Sequence, residues 1–181
     1  MMQGRFISVV GPSGVGKDTV MAAMAARDPR LHLVRRVITR RSDAGGEVFH
    51  GVTKSTFSAM VHDGAFALHW QAHGLSYGIP VTVDDDLAAG RDVLVNLSRS
   101  KLAEAQNRFS RSHVVLLTAT QEVLQARLTA RGRETADDIT TRLKRADFAL
   151  PSDVIATQID NSGALDDTIN DALDALYGIR A

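Results

Sequence analysis

Gly11, Gly16 and Lys17 stand at the spacing G-x-x-x-x-G-K, and Asp18 follows where that pattern usually places serine or threonine. These residue types suit the holding of phosphate. Glycines let a short loop turn tightly and aim successive backbone N–H groups at anionic oxygens. A helix opening near Gly16 adds the positive end of its dipole. Lys17 brings a mobile charge to the outer phosphates of a nucleoside triphosphate. The stretch Gly11, Pro12, Ser13, Gly14, Val15, Gly16, Lys17, Asp18 and Thr19 is therefore expected to bind ATP, with Lys17 catalytic. Asp18 offers a hard carboxylate oxygen in place of a hydroxyl and is expected to hold Mg2+, directly or through water, with Thr19 as a secondary candidate. The competing role for Asp18 is structural, complementing the dipole of the helix it opens. The dinucleotide fingerprint G-x-G-x-x-G is absent, which argues against a nicotinamide cofactor.

Such a loop needs a buried strand before it and a helix after it. Residues 6–10 read as that strand and 17–27 as that helix. Apolar runs at 33–38, 65–72, 92–97, 114–118 and 154–159 predict further strands. Helical patterns cover 53–63, 84–89, 100–108, 121–130 and 136–149. Ser55 is a candidate N-cap for the first of these, and Gly64 lies just past its end. A last helix is expected from about Ser162, with Leu165, Ile169, Leu173 and Leu176 on one face and Asp166 and Asp167 in its first turn. Strands alternating with helices imply an α/β fold: a three-layer P-loop NTPase architecture, mostly parallel sheet with helices on both faces. Ligands bind such sheets beyond the carboxyl ends of the strands, where the loop after Val10 sits.

Further along lie Val37-Ile-Thr-Arg-Arg41, with Glu47 and His50 after it, then Phe66-Ala-Leu-His-Trp-Gln-Ala-His-Gly-Leu-Ser-Tyr-Gly78, and later Arg127-Leu-Thr-Ala-Arg-Gly-Arg-Glu134 with Arg142. Together they resemble the guanylate-kinase-like branch of the P-loop kinases over nearly the whole chain. The resemblance implies one domain over 1–181, with an acceptor-binding region at about 36–90 and a lid at about 127–145. Thr39 and Arg40 resemble that branch's phosphate grip, and Tyr77-Gly78 its H-G-x-x-Y-G element. Arg131 and Arg133 resemble lid arginines that act on the transferred phosphoryl group. Two acids that read guanine in that branch are missing: its F-L-E strand is Phe66-Ala67-Leu68 here, and its L-D-I-D strand is Val95-Asn96-Leu97-Ser98.

The sequence is more closely similar to the ribose 1,5-bisphosphate phosphokinase family, through G-P-S-G-x-G-K-D (11–18), I-T-R (38–40), H-G-L-x-Y-G (73–78), D-V-L-V-N-x-S-R (92–99) and R-G-R-E (131–134). That resemblance implies ATP-dependent conversion of ribose 1,5-bisphosphate to 5-phosphoribosyl 1-diphosphate, in phosphonate breakdown. On this reading Thr39, Arg40, Tyr77, Asn96, Ser98 and Arg99 bind the acceptor. Arginine forks suit phosphate, and Asn96 and Ser98 suit sugar hydroxyls or phosphate oxygens. Arg41, Arg127 and Arg142 have plainer readings as surface residues, and His69 and His73 as structural histidines. The alternatives are a nucleoside monophosphate kinase, a kinase of another phosphorylated small molecule, or a non-catalytic guanylate-kinase-like binding module. The retained Lys17, Arg131 and Arg133 argue against the last.

Composition narrows the partners. Lys and Arg together number 21, as do Asp and Glu, so a nucleic acid or membrane bound by bulk charge is not expected. Charge is nonetheless uneven: residues 1–41 hold eight Lys or Arg against two Asp, and 153–181 six Asp against one Arg. With no cysteine, disulfides and thiolate chemistry are excluded. No apolar run approaches the roughly 20 residues that span a bilayer, and no signal-peptide pattern opens the chain, which fits the cytoplasm. A homodimer is left open.

Overall fold

The structure, a computed structural model, describes residues 3–41, 48–132, 140, 149–152 and 154–178. Strand β1 (Phe6–Val10) is buried along its whole length and runs through the loop at 11–16 into helix α1 (Lys17–Arg27). Strands β2 (Leu31–Leu33), β3 (Val37–Ile38) and β4 (His50–Gly51) follow, then α2 (Lys54–His62), the hairpin β5 (Phe66–Ala72) and β6 (Leu75–Pro80), and α3 (Val83–Ala88). The chain continues through β7 (Asp92–Asn96), a 3₁₀ turn (Arg99–Lys101), α4 (Leu102–Arg108), β8 (Ser112–Thr118), α5 (Gln121–Arg131), β9 (Thr157–Asp160) and α6 (Leu165–Tyr177).

Five strands form an all-parallel sheet in the order β2-β7-β1-β8-β9. Side chains alternate across a strand, so β1 feeds two cores. Ile7 and Val9 join Met21 and Met24 of α1 and Ile169 and Leu173 of α6 on one face. Phe6 and Val10 join Leu87 of α3 and Leu102 and Phe109 of the α4 segment on the other, where Phe6 stacks on Phe109 at 4.0 Å. This is the expected three-layer arrangement. It explains why β1 and β7 read as unbroken apolar runs: both faces are covered.

A second, four-stranded sheet, order β4-β3-β6-β5, stands beside the first. The run at 33–38, expected as one strand, is two. Leu31–Leu33 pairs in parallel with β7, whereas Val37–Ile38 leaves that sheet and pairs with β4 and β6. Strand β6 itself was not expected. It is set by a two-residue turn at His73 (φ 52°) and Gly74 (φ 74°), the twist that tight hairpins favour. Gly78 of β6 has no room for a side chain, since a Cβ there would lie 2.4 Å from the Phe66 ring.

Several boundaries shift, three of them with a visible cause. Thr53, not Ser55, caps α2, its hydroxyl accepting from the Thr56 N–H at 3.1 Å. The last strand is Thr157–Asp160 rather than 154–159, because Val154 is drawn into a turn on the Pro151 carbonyl. The final helix begins at Leu165; Ser162 instead bonds Asp160 and the Thr120 N–H. The helix expected at 136–149 and the lid beyond residue 132 lie outside the described residues. No helix among the described residues is long and apolar enough to cross a membrane.

Candidate active site

The loop is seated by its fifth residue, Val15, as much as by its glycines. Val15 is fully buried in the core shared by α1 and α6. Its carbonyl oxygen accepts from Asn161 Nδ2 at 2.7 Å and from Arg127 Nη1 at 3.2 Å. In a trans peptide the following N–H points opposite to the carbonyl. Pinning the Val15 oxygen toward Asn161 and α5 therefore turns the Gly16 N–H the other way. Gly16 adopts φ 93°, and a Cβ there would stand 2.8 Å from Asn161 Nδ2. Only glycine satisfies both demands. Asn161 is buried and is itself oriented by Thr168, whose hydroxyl donates to its Oδ1 at 2.9 Å.

Lys17 opens α1 and folds back over the loop, donating to the carbonyls of Gly11 at 2.8 Å and Pro12 at 3.2 Å. Asp18, half-buried in the first turn, accepts from Asn96 Nδ2 at 2.9 Å. Asn96 closes β7, the neighbour of β1, so sheet order brings the two together. The two side chains were expected in different roles, one at the metal and one at the acceptor; here they form one unit. Thr19 is exposed.

The acceptor residues fall on the second sheet and the end of β7. Cross-strand partners share a face, and Leu68 with Ile79 and Trp70 with Tyr77 are partners in the β5–β6 register. Leu68, Trp70 and Ile79 are buried in the cluster that also holds Val10, Val95 and Leu97, at the carboxyl ends of β1 and β7, and Tyr77 packs against it. This face is thus turned toward the phosphate loop, and α2 covers the opposite one through the Phe57–Phe66 stack. Trp70 and Tyr77 stack at 5.3 Å, with the Arg36 guanidinium 5.9 Å and 5.1 Å from their ring centres. Arg40 lies over the Phe49 ring at 4.4 Å. The Thr39 hydroxyl accepts from the Ser76 N–H at 2.8 Å, tying β3 to β6. Ser98 contacts Ser100 at 3.0 Å, and Arg99 donates to the Ala149 carbonyl at 2.8 Å. Arg133, Glu47, Glu134 and Arg142 lie outside the described residues, as does the side chain of Arg131.

Sequence reasoning missed Asn161 and gave Arg127 to the lid or to a helix surface, not to the loop. Neither carries a local signal, since each earns its place by a contact with the distant loop. Apart from Glu122 at the start of α5, the shifted ionisations among the described residues lie at the other end of the sheet. Burial pushes the Asp92 carboxyl up, but hydrogen bonds from the Arg5 side chain and backbone and from the Tyr177 hydroxyl outweigh it and hold the carboxyl below its ordinary range.

A buried central strand, a glycine-rich loop with its lysine, a helix and a second sheet facing them define the guanylate-kinase-like class of P-loop fold. The guanylate kinase family profile matches residues 3–176. A guanylate kinase from Anaplasma phagocytophilum superposes with a TM-score of 0.73 at 15% identity, covering 98% of this chain and 86% of that one. The sequence is 48% identical to the ribose 1,5-bisphosphate phosphokinase PhnN of Ruegeria sp. strain TM1040, across 99% of this chain and 95% of that protein. It is likewise 48% identical to the one from Pseudomonas paraeruginosa strain PA7, across 99% of both. The chain belongs to the ribose 1,5-bisphosphate phosphokinase family, within the guanylate-kinase group.

Proposed function

We propose that the chain transfers the γ-phosphoryl group of ATP to ribose 1,5-bisphosphate, giving ADP and 5-phosphoribosyl 1-diphosphate. An oxygen of the acceptor's C1 phosphate forms the new bond to phosphorus, and the bond to the β-bridging oxygen breaks, leaving its electrons on ADP. The carrying observation is the 48% identity, over nearly the whole chain, to relatives of that name. The acceptor face supports it. Leu68 is 1% exposed inside an apolar cluster, and Asn96 is engaged with Asp18, where guanylate kinases present acids to guanine. A guanine buried there would leave its N–H donors unpaired, at a cost of about 1–3 kcal/mol each.

The attacking oxygen is already ionised, so catalysis rests on positioning and charge neutralisation. Lys17 exchanges the Gly11 and Pro12 carbonyls for β- and γ-phosphate oxygens. Arg40, Arg99, Thr39, Tyr77 and Ser98 hold the acceptor, and Arg131 and Arg133 neutralise charge on the transferring group. Mg2+ takes oxygen ligands and relies on few protein side chains, which fits one carboxylate, Asp18, oriented by Asn96 beside the loop. When bound, the ion neutralises charge on the β- and γ-phosphates. The reading places the enzyme in the cytoplasm, in the supply of 5-phosphoribosyl 1-diphosphate.

The test is an ATP-dependent assay on ribose 1,5-bisphosphate and on GMP side by side, with products identified by mass. The sugar diphosphate is expected as the main product; GMP turnover with none on the sugar rejects the proposal. In the same assay Lys17→Ala is expected to lower kcat by about 100- to 1000-fold, and near-normal turnover would remove Lys17 from the chemistry.

A further inference from the structure

Tyr77 brings a hydroxyl to the acceptor face, and its position depends on how the ring is held. A tyrosine side chain turns about two torsions, the second of them broad, and any turn sweeps the hydroxyl across the cleft. The backbone beneath it is fixed on both sides, since Tyr77 pairs with Ile38 of β3 and with Trp70 of β5. Beside it, the Ser76 N–H donates to the Thr39 hydroxyl at 2.8 Å, and the Ser76 carbonyl accepts from the Thr39 N–H at 3.0 Å.

The ring is held by Trp70. Cross-strand partners bring their side chains together, and the two ring centres lie 5.3 Å apart with the planes 8° from parallel. That is an offset stack, a preferred aromatic geometry. The indole is itself clamped: Trp70 is 7% exposed, in a cluster with Leu68, Ile79, Val95 and Leu97. Tyr77 is only half-buried. Its hydroxyl is bonded to no other described residue and is not sealed in the interior. The chain's other tyrosine, Tyr177, donates its hydroxyl to Asp92 at 2.8 Å. Tyr77 thus combines a ring locked from below with a hydroxyl open to a ligand.

We propose that Trp70 is a positioning residue of the acceptor site: stacked on Tyr77, it fixes the phenol so that the hydroxyl donates to a phosphate oxygen of ribose 1,5-bisphosphate. This rests on the proposed function above, which gives Tyr77 to the acceptor. Trp70 acts through Tyr77 and touches no substrate itself.

The test is a double-mutant cycle in ATP-dependent turnover of ribose 1,5-bisphosphate, with Trp70→Leu, Trp70→Phe, Tyr77→Phe and the pair Trp70→Leu with Tyr77→Phe. Tyr77→Phe keeps the stack and removes the hydroxyl. It is expected to raise the acceptor KM by about 10-fold, the loss of one hydrogen bond to a charged group. Trp70→Leu removes the flat partner and is expected to approach the same loss, with the KM for ATP within about twofold. Trp70→Phe restores a ring and recovers most of the loss. In the pair, Trp70→Leu is expected to add less than about twofold to Tyr77→Phe, because the two act as one unit. An unchanged acceptor KM in Trp70→Leu, an equal loss for ATP, or full additivity in the pair overturns the proposal and leaves the function standing. Should Trp70→Leu not fold, the emission of Trp70, the one tryptophan of the chain, carries the test. Ribose 1,5-bisphosphate is expected to shift it in wild type and much less in Tyr77→Phe; no shift in wild type, or an equal one in Tyr77→Phe, overturns the proposal. Wild type inactive on ribose 1,5-bisphosphate rejects the function and this inference together.

Discussion

Asp18 and Asn96 each had a separate role at the level of the motif, and their 2.9 Å hydrogen bond joins them. The amide donates to Oδ1 and so fixes the carboxylate's rotation, as residues behind a metal ligand commonly do. If Asp18 holds Mg2+ as proposed, Asn96 is a positioning residue for the cation. Asn96→Ala is expected to raise the Mg2+ concentration for half-maximal turnover by about 10- to 100-fold. If Asn96 instead reads the sugar, the acceptor KM rises and the Mg2+ titration stays where it was. Asp18→Ala should shift the same Mg2+ curve further; full activity with an unmoved curve would leave Asp18 as a partner of the helix dipole alone.

At the scale of elements, the loop is held by α5 and by the end of β9. The Val15 carbonyl receives Arg127 from the first and Asn161 from the second. Asn161→Ala removes one of these bonds and leaves the buried Thr168 hydroxyl without the Asn161 oxygen. A loss of about 1–3 kcal/mol in stability is expected by chemical denaturation, with a higher KM for ATP and an unchanged KM for the acceptor. A loss of stability with ATP binding intact would confine Asn161 to the fold. The parallel sheet and its loop were legible because β1, β7 and β8 are β-branched apolar runs and the glycine spacing is local. The second sheet was not. Strands β3 and β4 are two residues each, too short for a period, and β3 continues an apolar run whose first part belongs elsewhere. Thr53, Ser55 and Thr56 are three hydroxyls in four positions, and only their mutual bonds show which one caps. The Arg36 contacts were hidden for a related reason: they reach two rings 34 and 41 residues onward, whose registry the hairpin sets.

At the scale of the molecule, the pole opposite the phosphate loop is closed by a charged clasp. Arg5 bonds Asp92 through Nε and Nη2 and the Leu176 carbonyl through Nη1, Tyr177 donates to Asp92, and the Arg30 guanidinium lies 3.6 Å from the centre of the Tyr177 ring. Asp92 titrates below the 3.8 of a free aspartate, so its contribution is whole above about pH 4 and is lost as pH falls through the lowered value. His113 is held below 6.5 by burial and then by the charge of Arg5. Its neutral form is favoured in the fold, so stability falls as pH drops below about 6.5 and the unfolded chain takes up the proton first. The melting temperature is therefore expected to decline in two stages on acidification. His113→Gln should flatten the upper stage and Asp92→Asn the lower, the latter with a lower melting temperature at pH 7. A single stage unaffected by either variant would assign acid sensitivity elsewhere.

The bond from Asn161 to Val15 spans 146 positions of the chain. A growing polypeptide emerges from its amino end, so the loop leaves the ribosome well before the amide that sets its shape. Until then, ATP meets a cradle missing one of its two anchors. Nucleotide gives little support to nascent intermediates and stabilises only the finished molecule, by mass action on its folded form. Contacts so far apart in sequence also slow the final closure. Competence to hold ATP thus waits on a contact between the two halves of the chain.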